Sequence, residues 1–534
     1  MLRKEKKQLS FYSVLYEQIP KGHLLMAVNE AIDFSFVNDL LKESYCENFG
    51  RPAKEPELMT RLLFLQHIYV LSDVRLMEEA SYNLAYKWFL GLNPEDHLPD
   101  ASLLAKFRTQ RLREGALDNI LMEIVRQCVE KGILKGKGVS VDTTHMEANC
   151  VKKVPERIMR QLARRVFKGL EEDLGAIPDG VDTDIPDIKG IDDHMEAKMA
   201  MMEYLLKVIG QAEAVGGEKT NEAAREARDI LSDEKFIPQK GVRSLSDKDA
   251  RVGFKSKTDN FFGYKTEFMI TNEERIITAI DAHSGEYVDG GDFEALLGRT
   301  LGSGAEVDEF YGDKAYFRAK ILKSVEGIGA TSYIPVSASA YRIDEELFSY
   351  NKDSDQWFCR MGNHTVSKKR IVTKRKDASG EARTIDAYKF DKALCEGCAR
   401  RRECVGSQKA KARTLRVSLS TPLLYEHSQR QKTPEFLEKY EARACVEWKN
   451  GEMKRFHGMS RARGFGLQSV RTQVKLTAIA VNLKRIAAIW TEKGKDHVKK
   501  ARNSVYQSFF LISRRVYGLR NLKTPKFAIR ILFC

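Results

Sequence analysis

The sequence has little of what membrane insertion, export or disulfide bonding requires. Its 534 residues contain no run of eighteen apolar residues, the length that a membrane span needs. The opening residues, MLRKEKKQLSFYSV, lack the apolar stretch of a secretory signal. Nine cysteines, an odd number scattered over a long chain, form no disulfide framework and are typical of a reducing compartment. We therefore expect no membrane association and a cytoplasmic location.

The net charge of +14 is unevenly distributed along the chain. From Lys484 to Cys534 there are thirteen Lys and Arg residues but only two acids, Glu492 and Asp496, so this segment carries a net charge of +11. Such a segment suits a polyanion, because Lys and Arg neutralise phosphates whatever the base sequence. Nucleic acid is the favoured partner, and the alternative is a basic terminus that serves solubility. We define residues 491–534 as a basic C-terminal tail.

Apolar periodicity divides the rest of the chain into two regions. Residues 1–135 have apolar positions three and four apart and few breakers, which predicts an all-α N-terminal domain for DNA binding or assembly. Residues 136–490 contain short apolar runs that predict a mixed α/β sheet domain. Two segments interrupt this domain: a helical, acidic insertion at 150–247 and a cysteine-rich insertion at 346–415. The predicted fold class is therefore α/β with insertions, preceded by an all-α domain.

The second insertion brings four cysteines close together in sequence: Cys359, Cys395, Cys398 and Cys404. Four soft ligands are what a tetrahedral structural zinc site requires. The stretch around the C-x2-C pair is short, basic and polar, so we expect that it buries no sizeable core and that a metal supplies its folding energy. Structural zinc is the favoured interpretation, and unliganded thiols are the alternative.

One spaced motif combines an aromatic residue, two cations and a carboxylate, in the pattern Y-x2-R-x3-E-x6-K: Tyr440, Arg443, Glu447 and Lys454. On an α-helix these positions fall within about 60° of one face. A carboxylate flanked by cations suits a divalent-metal site that acts on phosphate. The alternative is a surface helix whose Arg443/Glu447 pair contributes roughly a few tenths of a kcal/mol. Gly451 leaves open whether the helix continues to Lys454.

Two more carboxylates occupy positions where α/β sheets place ligands. Asp142 lies inside the apolar strand SVDTTHMEA, where a carboxylate costs free energy unless cations or hydrogen bonds compensate it. Asp313 lies in FYGDKAY, where a strand gives way to a helix. Carboxylates from three elements can hold two divalent ions for in-line attack on a phosphodiester. The sequence therefore predicts a metal site formed by Asp142, Asp313 and Glu447.

Several segments resemble the DDE transposases of bacterial insertion sequences, and in particular the IS1182-like members of the IS4/IS5 group. YGDKAY is similar to the family's D-K-x-Y segment around its second aspartate, and the spaced motif reproduces its Y-R-E-K signature. DKDARVGFKSKTDNFFGYKTEFMIT resembles the stretch that precedes the second strand, and AIAVNLKRIA resembles the closing helix. Residues 30–115 resemble the helical domain before the catalytic part. The resemblance extends over most of 30–490, including the cysteine-rich insertion.

This resemblance implies a ribonuclease-H-like catalytic fold and the function of a DNA transposase, with DNA cleavage and strand transfer at terminal inverted repeats. Mg2+ or Mn2+ would bind the three acids, Asp142, Asp313 and Glu447. The other motif residues, Tyr440, Arg443 and Lys454, would contact DNA phosphates. The expected partners are double-stranded DNA of the element ends and target, and a second copy in a homodimer, located at the bacterial nucleoid. The alternatives are a DNA-binding descendant without transposition activity and a general nuclease.

Overall fold

The computed structural model describes residues 10–46, 52–237, 241–256, 258–376, 380, 382–405 and 410–517, without the side chains of residues 376 and 494–517. The described part of the first 135 residues is helical. Its α-helices are α1 (Leu24–Ala31), α2 (Phe36–Leu41), α3 (Pro56–Tyr69), α4 (Asp73–Tyr82), α5 (Leu84–Phe89), α6 (Ser102–Gln110) and α7 (Ala116–Glu130). Its 3-10 helices are Phe11–Gln18 and Lys42–Ser44. Helix α3 is buried on almost every side, so it forms the centre of this helical region.

Strand β1 (Gly138–Glu147) leads directly into an insertion of three helices. These are α8 (Pro155–Leu174), α9 (His194–Glu213) and α10 (Glu218–Leu231). Helix α8 has a strongly one-sided pattern of apolar residues, and this face packs with the other two helices into a separate apolar cluster. The backbones of Lys153 and Arg243 exchange hydrogen bonds of 2.9 and 3.1 Å, so the two ends of the insertion lie side by side.

The central sheet has six strands. After β1 the strands are β2 (Arg251–Phe254), β3 (Asn260–Thr271), β4 (Ile277–Ser284), β5 (Glu309–Tyr311) and β6 (Thr331–Tyr333), with helix α11 (Phe293–Gly302) before β5 and helix α12 (Ala319–Gly327) before β6. Strands β2 and β4 each pair with β3, which pairs antiparallel with β1. On its other side β1 pairs parallel with β5, and β5 pairs parallel with β6. The sheet therefore combines an antiparallel half with a parallel half.

The second insertion consists of small antiparallel sheets and two short helices. Strands β7 (Phe348–Asn351) and β8 (Gln356–Cys359) form a hairpin, and β9 (Thr365–Lys376), β10 (Ala382–Phe390) and β11 (Thr414–Ser418) form a three-stranded sheet. Helices α13 (Lys392–Glu396) and α14 (Arg401–Cys404) carry Cys395 and Cys404, and Cys398 lies between them. The insertion has an apolar cluster of its own, formed by Trp357, Tyr388 and four other side chains from the strands, and none of the six lies in the stretch around the C-x2-C pair.

The remaining helices return the chain to the sheet. They are α15 (Thr421–Gln431), α16 (Pro434–Tyr440), α17 (Cys445–Phe456) and α18 (Leu467–Tyr517), with 3-10 helices at Lys314–Tyr316 and Glu441–Ala444. Asn482 of α18 accepts from Ile277 N and donates to Ile277 O, both at 2.8 Å, so the helix is fixed across β4. One apolar core includes α18, the antiparallel strands and the N-terminal helices. Most of the predicted basic tail lies outside the described side chains.

Candidate active site

The two aspartates lie at the same edge of the sheet. Strands β1 and β5 run parallel, and Ser140 is aligned with Tyr311. Asp142 lies two residues after Ser140, within strand β1, and Asp313 lies two residues after Tyr311, in the turn that follows β5. Because neighbouring parallel strands end at the same edge, their side chains face one site. The structure thus brings together two of the three predicted acids.

Burial and charge both act on the Asp142 carboxyl, whose side chain is only 13% exposed. The pKa of Asp142 is raised to about 6, mainly by burial; the Arg443 cation opposes this rise and the nearby Asp313 carboxylate contributes to it. Neighbouring carboxylates repel each other when both are ionised, and a cation between them relieves the repulsion. The pair therefore has the electrostatics of a cation site.

The residues that follow Asp313 fix its position. Its Oδ1 accepts a hydrogen bond of 2.8 Å from Ala315 N at the start of the 3-10 helix. In the same helix, the Tyr316 hydroxyl donates to Glu267 Oε1 at 2.7 Å and lies 2.8 Å from Thr143 Oγ1. Thr143 is the neighbour of Asp142 on β1. Tyr316 therefore connects the turn that carries Asp313 to the strand that carries Asp142.

Glu267 on β3 is the centre of this connection, and its side chain is fully buried. It also accepts from the Tyr287 hydroxyl at 2.5 Å and from Gly290 N at 2.7 Å. Burial raises the pKa of Glu267 above its usual value, although the tyrosine and backbone donors partly offset this rise. A buried carboxylate with three donors fixes the elements that supply them. Glu267 thus holds three segments in register behind the two aspartates.

Helix α17 and the turn before it cover Asp142 from one side. Arg443 Nη2 lies 3.0 Å from Asp142 Oδ1, and Asn450 Nδ2 donates to Asp142 Oδ2 at 2.9 Å. Arg443 Nε and Asn450 Oδ1 are both buried without a hydrogen-bond partner among the described residues. Both oxygens of Asp142 are therefore satisfied by the chain, while the groups that satisfy them keep unused polar atoms.

In sequence, Glu447 lies between Arg443 and Asn450, but its side chain takes no part in their contacts with Asp142. Its side chain is 74% exposed and forms an ion pair of 4.0 Å with Arg443. Within the described part of the chain, no group of three or more His, Cys, Asp or Glu side chains is arranged to hold a metal ion. The structure thus places Glu447 on the helix above the aspartates, with its carboxylate still outside their immediate set of contacts.

The Y-R-E-K residues do not share one continuous α-helix. Tyr440 ends α16, Arg443 lies in the 3-10 helix Glu441–Ala444, and Glu447 lies in the first turn of α17. The one-helix interpretation is wrong here because this tight turn joins two helices. Beyond it, α17 continues through Gly451, and Lys454 Nζ lies 3.4 Å from His145 Nδ1 on β1. Lys454 therefore remains near the sheet despite the glycine.

Aromatic packing fixes α16 and Tyr440 next to the second aspartate. The rings of Tyr311 and Tyr333 stack with centroids 5.1 Å apart, and Phe436 lies 5.6 Å from Tyr333. Tyr440 stacks on Phe436 at 5.9 Å. Burial raises the pKa of the Tyr440 hydroxyl, and Asp313 and Asp142 add to this rise, while Arg443 opposes it. Strands β5 and β6 thus position the first residue of the motif as well as Asp313.

The available donor atoms fit a hard divalent cation. Asp142 and Asp313 supply carboxylate oxygens, and Asn450 supplies an amide oxygen that is buried and unpartnered. Oxygen ligands of this kind suit Mg2+. Glu447 offers a third carboxylate from an exposed position on the same side. Its approach to the pair would complete the predicted set of acids.

The four cysteines of the second insertion line one small pocket of about 40 Å3. All four are free thiols and partly buried. Burial raises the pKa of Cys404, and Cys395, Cys359 and Cys398 act on it in the same direction. The fold therefore gathers thiols that the sequence separates by up to forty-five positions, from 359 to 404, although they are not arranged as a metal-ligand set.

Sequence reasoning did not identify Asn450 and Glu267 as parts of the site. Asn450 lies three residues after Glu447, seven after Arg443 and four before Lys454, which is helical spacing on the motif's own face. That spacing was a usable signal. Glu267 lies in the apolar strand FFGYKTEFMIT, where an isolated acid costs free energy unless donors surround it. The same criterion that identified Asp142 would have identified Glu267.

Comparisons with known protein families agree with this site. Residues 13–110 match the model of a Transposase domain (DUF772), and residues 358–487 match the model of a Transposase DDE domain. The second match contains Glu447 and the cysteines, whereas Asp142 and Asp313 lie outside both matches. These domains define an enzyme of DNA transposition, a polynucleotidyl transferase and endonuclease.

Both matches support the prediction that the chain is a DDE transposase of an insertion-sequence element. The resemblance found in the sequence is thereby confirmed at the level of the family, and DNA is the partner that this family implies. Transposases of this class use divalent metal ions. In the part of the chain that the structure describes, no helix has the length and apolar content that a bilayer span requires.

Proposed function

We propose that the protein cuts the ends of its element at terminal inverted repeats and joins the freed ends to target DNA, with Asp142, Asp313 and Glu447 as catalytic acids. The observation that carries this proposal is the pairing of Asp142 and Asp313 at one sheet edge beneath the Y-R-E-K segment. No described feature favours an inactive, DNA-binding descendant. The IS1182-like subgroup remains part of the proposal.

The strand order supports a ribonuclease-H-like fold for the catalytic region. Three antiparallel strands, β1, β3 and β4, are followed by two parallel strands, β5 and β6, on the other side of β1. The first acid lies on the central strand and the second follows its parallel neighbour. The helix that carries Glu447 packs across β1. On this basis we assign residues 136–490 to the catalytic domain.

Asp142, Asp313 and Glu447 would hold Mg2+ or Mn2+, with the Asn450 amide oxygen beside them. When bound, divalent ions supply positive charge to the attacking and leaving oxygens of a phosphodiester. Because β1 and β5 fix the two aspartates, the chain has little reorganisation to perform there. Because the Glu447 side chain is exposed, it can rotate so that its carboxylate approaches the two aspartates.

The cations of the motif would bind the DNA backbone. Arg443 is held by Asp142 in the absence of DNA, and its planar guanidinium suits a phosphate when the acid turns to a metal ion. Burial lowers the pKa of Lys454, and the neighbouring Lys255 lowers it further, so a phosphate at this position would relieve the repulsion. Tyr440 would position the end of the DNA strand next to Asp313. These contacts set the phosphodiester in line with the acids.

Three further parts of the proposal concern structure and setting. The clustered thiols of the second insertion support a structural zinc ion, which would require a small inward adjustment of the cysteines. Residues 1–135 would serve DNA binding and assembly, and the tail from residue 491 would add affinity for the polyanion. A homodimer would hold the two element ends, and the protein would work at the bacterial nucleoid.

The decisive test uses a duplex that carries an element end and its flanking DNA. Asp313→Asn should abolish Mg2+-dependent cleavage, because one carboxylate of the pair is lost, while gel retardation of the same duplex persists. The matched control is Asp308→Asn, which changes an exposed acid just before β5 and should cleave normally. Full cleavage by Asp313→Asn would overturn the assignment. Cleavage of unrelated duplexes with equal efficiency would instead indicate a general nuclease.

A further inference from the structure

A pocket of about 580 Å3 lies between the N-terminal helices and the start of α18. One wall consists of the end of α3, the start of α4 and the end of α6, and the other consists of the segment before α18 and its first turns. Several uncharged donors line it: Ser72, Thr109, Gln468 and Thr472. Pockets of this size hold ligands rather than single waters. This pocket lies outside the groups already assigned to the active site.

Two guanidinium groups face this pocket, and only one of them is neutralised. Arg108 Nη1 lies 3.0 Å from Asp73 Oδ1 and also donates to Gln66 Oε1. The Arg463 guanidinium makes no hydrogen bond or ion pair with any residue that the structure describes. Burial lowers the pKa of Arg463, and the charge of Arg108 lowers it further. One positive charge at the pocket is therefore left uncompensated.

The nearby histidine does not change this balance. His67 is buried, with Nδ1 3.0 Å from Leu63 O. Burial lowers the pKa of His67 to about 3, and the charge of Arg463 adds to this effect, so the ring is neutral at physiological pH. The pocket walls thus carry Asp73, Arg108 and Arg463, which sum to one positive charge. A ligand with a single negative charge and several acceptor oxygens matches them, and a phosphodiester group has both properties.

The pocket is connected to the catalytic strand through the backbone. Arg461, two residues before Arg463, lies beside Glu147 at the end of β1, where Glu147 N donates to Ser460 O and Ala462 N donates to Glu147 O. Asp142 lies five residues earlier on the same strand, a distance of about 16 Å, which corresponds to about five base pairs of DNA. Lys454 lies along this interval, beside His145. A duplex that followed β1 from the acids would therefore approach the segment that carries Arg463.

We propose that this pocket binds one backbone phosphate of the element end, through the Arg463 guanidinium, about five base pairs from the cleaved bond. The inference rests on the proposed function, because it takes the element end as the bound DNA. Such a contact joins the N-terminal helices, the segment before α18 and the DNA at one point. It fixes the position of the duplex along β1 and contributes affinity that does not depend on base sequence.

The test compares Arg463→Ala with the wild-type protein on a labelled element-end duplex over a series of salt concentrations. Loss of one phosphate contact should raise Kd about tenfold and reduce the slope of log K against log salt by about one. Arg463→Lys keeps the charge but not the planar fork, and should fall between the two. Arg164→Ala, an exposed arginine on α8, is the matched control and should bind as the wild type does.

Single methylphosphonate substitutions along the duplex then locate the contact. One neutral linkage near the fifth base pair from the cleavage site should weaken wild-type binding and leave Arg463→Ala unaffected. Equal losses in both proteins, or an Arg463→Ala variant with wild-type Kd and salt slope, would overturn the inference. Circular dichroism checks that each variant is folded. If wild-type protein cleaves element ends but these results fail, the pocket alone is wrong. If wild-type protein neither binds nor cleaves them, both proposals fail.

Discussion

The sheet fixes the positions of Asp142 and Asp313 more tightly than helix α17 fixes that of Glu447. Asp142 and Asp313 lie on or beside paired strands, and the Glu267 network fixes those strands from behind. Glu447 lies on a helix of twelve residues with Gly451 inside it, and its side chain is mostly exposed. The comparison teaches that folding alone fixes two of the proposed ligands, whereas under our proposal the third would be ordered only when DNA and metal ions bind.

The largest expected effect separates activity from stability. Asp142→Asn and Glu447→Gln should each reduce Mg2+-dependent cleavage at least about 1,000-fold, on the order of 4 kcal/mol of barrier, because each removes a predicted ligand. Glu447→Gln should leave the free energy of unfolding within about 0.5 kcal/mol of wild type, since the side chain is exposed. Cleavage assays and urea denaturation measure the two quantities.

The control for this pair is Glu441→Gln, an exposed acid in the 3-10 helix before α17. It should keep wild-type cleavage and stability. If Glu447→Gln still cleaved at the wild-type rate, the helix would supply no catalytic acid, and the contrast between sheet and helix would lose its functional meaning.

The next prediction concerns how much the Glu267 network stabilises the sheet. Glu267→Ala removes the carboxylate acceptor of the buried Tyr316 hydroxyl, of the half-buried Tyr287 hydroxyl and of Gly290 N, so we expect a loss of about 3–4 kcal/mol in the free energy of unfolding. Glu267→Gln keeps an acceptor oxygen and should lose about 1–2 kcal/mol. Urea denaturation provides the measurement. Glu273→Ala, an exposed acid at the β3–β4 turn, is the control, and equal stability of Glu267→Ala and this control would refute the role of the network.

Lowering the pH should destabilise the fold through His145, which lies where β1 meets α17. Burial lowers the pKa of His145 to about 4, with Lys454 and Lys255 adding to this effect, whereas the unfolded chain has the ordinary value near 6.5. As the pH falls below 6.5 the unfolded chain takes up a proton that the folded protein refuses, so folding stability is lost. Between pH 6.5 and 4.5 this residue should account for roughly 1–2 kcal/mol.

His145→Gln should remove that share of the acid sensitivity. Metal-free wild type and variant are compared by urea denaturation at the two pH values, and the difference between their losses gives the contribution. Identical losses would show that the histidine is not held in its neutral form at this junction.

The smallest effect concerns the adaptability of α17. Gly451 has a helical backbone and open space where a Cβ would lie, so Gly451→Ala should stabilise the protein by about 0.5–1 kcal/mol. Gly210→Ala on α9 has the same surroundings and should give a similar increase in melting temperature. If α17 must adjust for Glu447 to reach the aspartates, only Gly451→Ala should slow cleavage, by about two- to fivefold. Unchanged cleavage in both would indicate that the side chain moves alone.

The sequence predicted those parts of the site that depend on local pattern. The apolar strand around Asp142 and the strand end at Asp313 both have short-range signals, and the structure contains them. The parallel pairing of β1 with β5 was not predicted from the sequence, because it joins strands that are far apart in the chain. The roles of the three acids stay predictions.

Long-range contacts account for what the sequence did not predict. The 3-10 turn after Tyr440 depends on how α16 stacks against β5 and β6, which no local period encodes. Asn450 and Glu267 have local signals in the sequence, but their partners, Asp142 and Tyr316, are distant in the chain and only the structure identifies them. The core of the cysteine-rich insertion was missed for a similar reason, since its aromatic residues come from separate short strands.

The three-helix insertion has a consequence for the order in which the chain folds. It separates β1 from β2 and β3 by about one hundred residues, and closing a flexible loop of that length costs roughly 3 kcal/mol more than closing a tight turn. With its own core formed and the backbones of Lys153 and Arg243 paired, the same segment behaves as a short connection. We therefore expect the insertion to fold before the β1–β3 ladder, so that the strand carrying Asp142 joins the sheet late.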